Sequence, residues 1–276
     1  ALKNSGLGNG LREVTGAVVR FTDAGPSGGG LDGTGTIEVR HGFTEMGQGV
    51  HTVALQVAVT ELGVDPARIK VIVDTSREIG FGQTTGSRGT LMAAGAVQKA
   101  CLVALAAGCV PNVDHIAEHV VDWTQKLGDP KYPNPTIHAA FGFAAQVVIA
   151  DKATGAIEKV VAIHDVGKAV NPRLCEGQIE GAVHMGLGYA LTEDFPADEL
   201  GFPTNMTLRS LGILRPKDVP AIEVELVEVP QPRAAYGIKG VGEIGLVPTS
   251  GAVAAALHMA DGEWRTVLPM RRASAD

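Results

Sequence analysis

The stretch "GTIEVRHGFTEMGQGVHTVALQVAVTELG", residues 35–63, decides the fold class because its hydrophobic period changes part-way along. Residues 35–41 read as a strand, whereas residues 48–63 carry apolar side chains at helical spacing and stop at Gly63, a helix with a C-terminal glycine. Working outward, "GAVVRFT" (16–22) predicts a strand that pairs with 35–41 through a glycine-rich turn. "RIKVIVD" (68–74) is another strand, and "GTLMAAGAVQKACLVALAAG" (89–108) is a helix apolar almost all round, hence buried. After a polar, proline-rich interval, "FGFAAQVVIAD" (141–151) and "GAIEKVVAIHD" (155–165) predict a hairpin around "KATG". "NPRLCEGQIEGAVHMGLGYALTE" (171–193) opens with Asn171 as a cap and Pro172 at the first helical position. Its apolar stripe runs through Cys175, Ile179, Ala182, Val183, Leu187 and Ala190. "AIEVELVEV" (221–229) is a strand and "PTSGAVAAALHMA" (248–260) a closing helix.

The order β-β-α-β-α therefore occurs twice, although no residue-level repeat accompanies it. The sequence predicts an α+β (mixed α/β) protein of two similar lobes: residues 1–110, an irregular connection at 111–136, and a second lobe at 137–276. At 45% hydrophobic residues the chain has ample material for a core. Its net charge is -7 with no lysine and arginine cluster, which argues against nucleic acid or an anionic membrane surface as a partner. Three cysteines, Cys101, Cys109 and Cys175, are too few and too irregularly spaced for a disulfide framework and read as the reduced thiols of a cytoplasmic protein. The apolar runs are short for a membrane span and no leader pattern opens the chain. Because it begins at Ala1 and enters patterned sequence at once, it reads as a piece of a longer polypeptide.

Thirty-six glycines cluster in a few places, as where backbone approaches something closely. In "TEMGQGVHT" (44–52), Gly47 and Gly49 flank Gln48 just before a helix, a place suited to an anion or to a tight turn with no ligand. "GQTTGSRGT" (82–90) also precedes a helix, and its hydroxyls, backbone N–H groups and Arg88 could cradle an oxyanion or simply form a capped loop. It is not a phosphate-binding Walker loop, since no glycine-lysine-serine follows at the required spacing. "HIAEH" (115–119) matches the H-x-x-E-H pattern of a class of zinc peptidase, with Glu118 as base, but lacks an evident third ligand and reads better as a solvated helical turn. Gln178 lies near the apolar stripe of its helix beside small residues. Glu243 in "KGVGEIGLVPTSG" (239–251) is a carboxylate in apolar surroundings, either a general base with a raised pKa or a capping or salt-bridged acid before the last helix.

Together and in this order, "KNSGLGNG", "TEMGQGVHT", "TTGSRGTLMAAGAV", "HDVGKAVNP", "GQIEGAVHMGLGYALTE" and "KGVGE" resemble the molybdenum hydroxylase family, which includes xanthine dehydrogenase and aldehyde oxidase. The likeness covers the second half of the molybdopterin-binding large subunit. "GQTTGSRGT", "HMGLGYALTEDFP", "LGILRPKDVPAIEV" and "AAYGIKGVGEIG" look most like the bacterial selenium-dependent xanthine dehydrogenases. The resemblance implies that Glu243 is the catalytic base, taking a proton from a molybdenum-bound hydroxide as that oxygen attacks an electron-poor carbon and a hydride passes to a sulfido or selenido ligand. It implies that Gly47, Gln48 and Gly49 face the metal and its pterin, that Thr84, Thr85, Gly86, Ser87, Arg88 and Gly89 line the pterin and phosphate, and that Gln178 hydrogen-bonds the pterin. The cofactor would be molybdenum-molybdopterin, in its plain or cytosine dinucleotide form, with no protein ligand to the metal. The 2Fe-2S clusters, FAD and the N-terminal half of the molybdenum subunit would lie on partner chains or on other parts of one chain.

The leading reading is the molybdenum-cofactor part of a hydroxylase acting on a purine such as xanthine. A hydroxylase of nicotinate, another heterocycle or an aldehyde is the alternative, and a non-catalytic assembly module with this fold is a third.

Overall fold

The computed structural model describes residues 1–22, 30–74 and 84–270. The first lobe is built on a four-stranded sheet ordered β4-β3-β2-β5, from Ile69–Val73 (β4), Ile37–His41 (β3), Glu13–Phe21 (β2) and Asp114–Val121 (β5). Two helices, Val50–Leu62 (α1) and Gly89–Ala106 (α2), pack on one face of it. The second lobe repeats this arrangement. Its sheet, ordered β1-β6-β7-β8, comprises Leu2–Ser5 (β1), Ala140–Ala150 (β6), Ile157–Asp165 (β7) and Ala221–Val227 (β8), covered by Pro172–Leu191 (α3) and Thr249–Asp261 (α4). In each lobe an antiparallel hairpin, β2-β3 or β6-β7, is followed by a helix and then by a strand parallel to the hairpin's second member. A helical crossover is what a parallel neighbour requires. The expected mixed α/β class with two like lobes is thus the observed one.

The helix boundaries follow from local chemistry. Gly63 ends α1 in the left-handed region, at φ 66°, and its N–H reaches the Val59 carbonyl. Asn171 caps α3, its side chain accepting from the Leu174 N–H at 3.0 Å, with Pro172 in the first turn. The predicted stripe of α3 is the buried one through Ile179, Ala182, Val183, Leu187 and Ala190. Helix α2 is long and apolar enough, by length and composition, to cross a membrane, yet ten of its residues are buried against the first lobe's sheet and α1. A third apolar cluster joins Phe43, Val50, Leu91, Met92, Val121 and Ala139.

Two strands depart from the sequence expectation. Residues 115–119 are not a helical turn but part of β5, which pairs antiparallel with β2 inside the interval predicted to be irregular. Its charged residues lie on the exposed side and two histidines on the buried side, so no aliphatic alternation announces it. Residues 2–5 form β1, which pairs with β6 and so belongs to the second lobe's sheet rather than the first. The glycine-rich turn predicted between β2 and β3 falls largely on residues 23–29, outside the described residues.

Candidate functional site

Three segments far apart in sequence meet between the lobes: the end of β1, the loop leading into α2, and the loop before α4. Gly6 N–H donates to the Gly86 carbonyl at 2.8 Å, and Gly240 N–H donates to Ser5 Oγ at 2.9 Å. Gly240 must be glycine, because a Cβ there would lie 1.8 Å from the Ser87 carbonyl oxygen. Behind this junction the Glu13 carboxylate accepts from the Leu7 and Gly8 N–H groups, at 2.9 and 3.1 Å, and pairs with Arg88 at 2.7 Å. The glycines predicted to admit close approach here admit other backbone.

Beside the junction lies a cavity of about 430 Å³, lined by Gln48, Thr84, Thr85, Gly86, Ser87, Gly89, Gln178, Lys239 and Glu243 among others. The structure therefore gathers most of the residues singled out in the sequence. The first two residues of "GQTTGSRGT", Gly82 and Gln83, lie outside the described residues. Gln178, half-buried on α3, has no hydrogen-bond partner for its amide among the described residues. Gln48 is committed to its own loop, accepting from Met46 N–H and donating to the Thr44 carbonyl. Gly49 starts α1 at φ 82°, where a Cβ would meet Leu174 Cδ1 at 2.8 Å, and Gly47 holds φ 95°. Both shape the turn around Gln48, and neither is among the cavity-lining residues.

Arg88 stands differently from its expected place. Its guanidinium turns away from the cavity into the ion pair with Glu13, and both side chains are almost inaccessible, 4% and 1% exposed. What the loop offers the cavity is backbone and hydroxyl. No side chain among the described residues caps the start of α2, so its first-turn N–H end, beside Gly89 and Thr90, favours an anion.

Glu243 lies on the cavity wall with its side chain 52% exposed. Ser87 Oγ donates to Glu243 Oε2 at 2.7 Å, Lys3 Nζ pairs with the same oxygen at 3.1 Å, and Glu243 N–H donates to Ser87 Oγ at 3.1 Å. Partial burial pushes its pKa up, but the Ser87 hydrogen bond and the Lys3 ammonium outweigh this and hold the carboxyl below its usual range. The expected rise is thus reversed by Ser87 together with a lysine that sequence reasoning missed. Lys3 belongs to the quoted "KNSGLGNG", but nothing in its spacing tied it to a residue about 240 positions on. Glu243 does not cap α4, whose N-terminus carries no side-chain cap among the described residues.

The cavity wall suits a pterin cofactor on three grounds: a helix start and a Gln178 amide that have no side-chain cap and no partner among the described residues, and a run of hydroxyls and glycines. His115 and His119 are remote from it, both buried on the inner side of β5. No group of three metal-binding side chains occurs among the described residues.

A family model described as the molybdopterin cofactor-binding domain matches residues 21–110 and 103–220. The large subunit of nicotine 6-hydroxylase from Paenarthrobacter nicotinovorans is 28% identical over 97% of this chain and 38% of its own length. The molybdenum-binding subunit of xanthine dehydrogenase from Escherichia coli O157:H7 is 29% identical over 86% of this chain and 37% of its own length. The chain thus spans less than two fifths of these relatives. Its fold matches the aldehyde oxidoreductase of Desulfovibrio desulfuricans with a TM-score of 0.78 over 95% of this chain and 29% of that one, at 23% identity. With its family model matched across both lobes, the chain belongs to the molybdopterin cofactor-binding domain family.

Proposed function

We propose that this chain is the cofactor-binding part of a molybdenum hydroxylase that oxidises an N-heterocycle, a purine such as xanthine foremost. The observation that carries the reading is a carboxylate, Glu243, on the wall of the same cavity that the start of α2, uncapped among the described residues, also lines. Two relatives named for nicotine and for xanthine, both N-heterocycles, support the substrate class. An aldehyde is the second substrate class, favoured by the relative named as the molybdenum-binding subunit of an Escherichia coli aldehyde oxidoreductase, 28% identical over 94% of this chain.

Thr84, Thr85, Gly86, Ser87 and Gly89 would hold the cofactor's pterin and phosphate through hydroxyl and backbone N–H groups, and Gln178 would hydrogen-bond the pterin. Gln48, set between Gly47 and Gly49, would face the metal side. Arg88 acts one step back, fixing the loop through Glu13. Bound there, the molybdenum cofactor would supply the two-electron redox chemistry that side chains lack. Glu243, ionised at neutral pH, would accept the proton released at the reacting centre. The remaining length of the molybdenum subunit, the 2Fe-2S clusters and FAD belong on other segments or partner chains, where the electrons leave.

In the enzyme that contains this chain, Glu243→Gln is expected to lower turnover by roughly 10²–10⁴ while molybdenum content stays unchanged. Near-normal turnover by the fully loaded variant would overturn the reading.

A further inference from the structure

The geometry points to Lys3 and Ser87 as positioning residues that grip Glu243 Oε2 from two sides and leave Oε1 as the proton-accepting atom. This rests on the reading of Glu243 as the base. Oε2 carries the Lys3 ammonium at 3.1 Å and the Ser87 hydroxyl at 2.7 Å, whereas Oε1 has no hydrogen bond or ion pair among the described residues. The carboxylate is therefore gripped asymmetrically. Ser87 is doubly engaged, because its oxygen also accepts from the Glu243 N–H at 3.1 Å, closing a small ring that fixes the side chain to its own backbone. Ser87 holds this place at φ 52°, a left-handed conformation uncommon for a non-glycine residue.

Each grip comes from a different element. Lys3 is on β1, whose register with β6 is fixed by the pairing of Lys3 with Gly142, and its ammonium is steadied by the Asn4 carbonyl at 2.8 Å. Ser87 is on the loop into α2. The other charges nearest the cavity are already engaged: Arg88 with Glu13, Lys239 with Asp165, and Lys168 with Glu228. Among the described residues, Lys3 is thus the cation that faces the Glu243 carboxylate. The lowered carboxyl pKa agrees with that arrangement.

The test follows the Glu243 carboxyl by pH-difference infrared spectroscopy of the intact enzyme, with the Glu243→Gln enzyme subtracted to isolate its band, alongside the pH profile of kcat/KM. In Lys3→Met the band titrates at higher pH and the acid limb of the profile shifts upward with it, while Lys3→Arg restores both. Ser87→Ala gives a smaller shift in the same direction and serves if Lys3→Met fails to assemble. Unchanged band and limb in both variants, with Glu243→Gln still inactive, would overturn the grip and leave the base standing. A shifted band with an active Glu243→Gln enzyme would instead sink the base, and with it the role of Oε1.

Discussion

Arg88 and Glu13 form the buried ion pair that joins the loop before α2 to the turn after β1, and the pair explains why an arginine beside a candidate anion site does not serve the anion. Bringing two charges out of water is costly, and only their mutual contact plus further hydrogen bonds offset it. Here Glu13 has both, accepting from Leu7 and Gly8 as well as from Arg88. Removing one partner strands the other, so Arg88→Met should lower the unfolding free energy of the chain by about 3–5 kcal/mol. Adding Glu13→Gln to that variant should recover part of the loss. Urea unfolding of the three proteins measures this, and an Arg88→Met variant as stable as the parent would refute the assignment. Residue identity alone could not have made this choice: an arginine next to "TTGS" suits either partner until Glu13 is known to lie behind it.

Helix α2 shows the same dependence at the scale of an element. Its ten buried residues include Ala93, Ala94, Ala96, Ala100 and Ala104, whose small side chains let the helix lie close to the sheet. Gly95 is the closest point, where a Cβ would lie 2.5 Å from Nδ1 of the His119 ring on β5. In most helices Gly→Ala stabilises by about 1 kcal/mol. At Gly95 the added methyl group must displace a buried ring, and Gly95→Ala should destabilise by about 1–3 kcal/mol. Combining it with His119→Ala should relieve the clash, making the double variant more stable than the two separate losses predict; strict additivity in urea unfolding would count against the contact. Contacts of this kind also decide what could be read from sequence. Strands with aliphatic alternation, such as β3 and β8, and helices with plain terminal signals at Gly63 and Asn171 were legible. β5 was not, because its buried side is partly histidine, and β1 was not, because four residues carry too little pattern. At the site, the glycine and hydroxyl loops around Gln48, Thr84–Ser87 and Glu243 were legible as local motifs, whereas the Lys3–Glu243 pair depends on sheet register between distant strands.

Taken whole, the molecule repeats one β-β-α-β-α unit and buries histidines in both copies. His41 on β3 and His119 on β5 lie in the first lobe, His164 on β7 in the second, at 0%, 5% and 0% exposure. Burial disfavours the charged imidazolium of each and pushes its pKa down to about 4, helped by His51 beside His41, by Lys99 beside His119 and by the N-terminal ammonium near His164. Polar atoms on all three rings lack hydrogen-bond partners among the described residues, and at His41 the Glu45 carboxylate opposes the fall without reversing it. An unfolded histidine titrates near 6.5, and between that pH and about 4 the unfolded chain binds protons that the folded chain refuses. Stability contributed by the three neutral rings is therefore complete above about pH 6.5 and is lost progressively as pH falls toward 4. The carboxyls of Glu45, Glu228 and Glu243, held below their usual range in the fold, add a loss of the same sign at the acid end of that window. The urea midpoint of the full chain should accordingly be flat from about pH 8 to about 7 and fall steadily below about 6.5. Replacing His164 with Leu should make that fall shallower by removing one proton-refusing ring. A midpoint that stays constant down to about pH 4.5 would show that the rings are protonated or solvated in the fold, against their burial here.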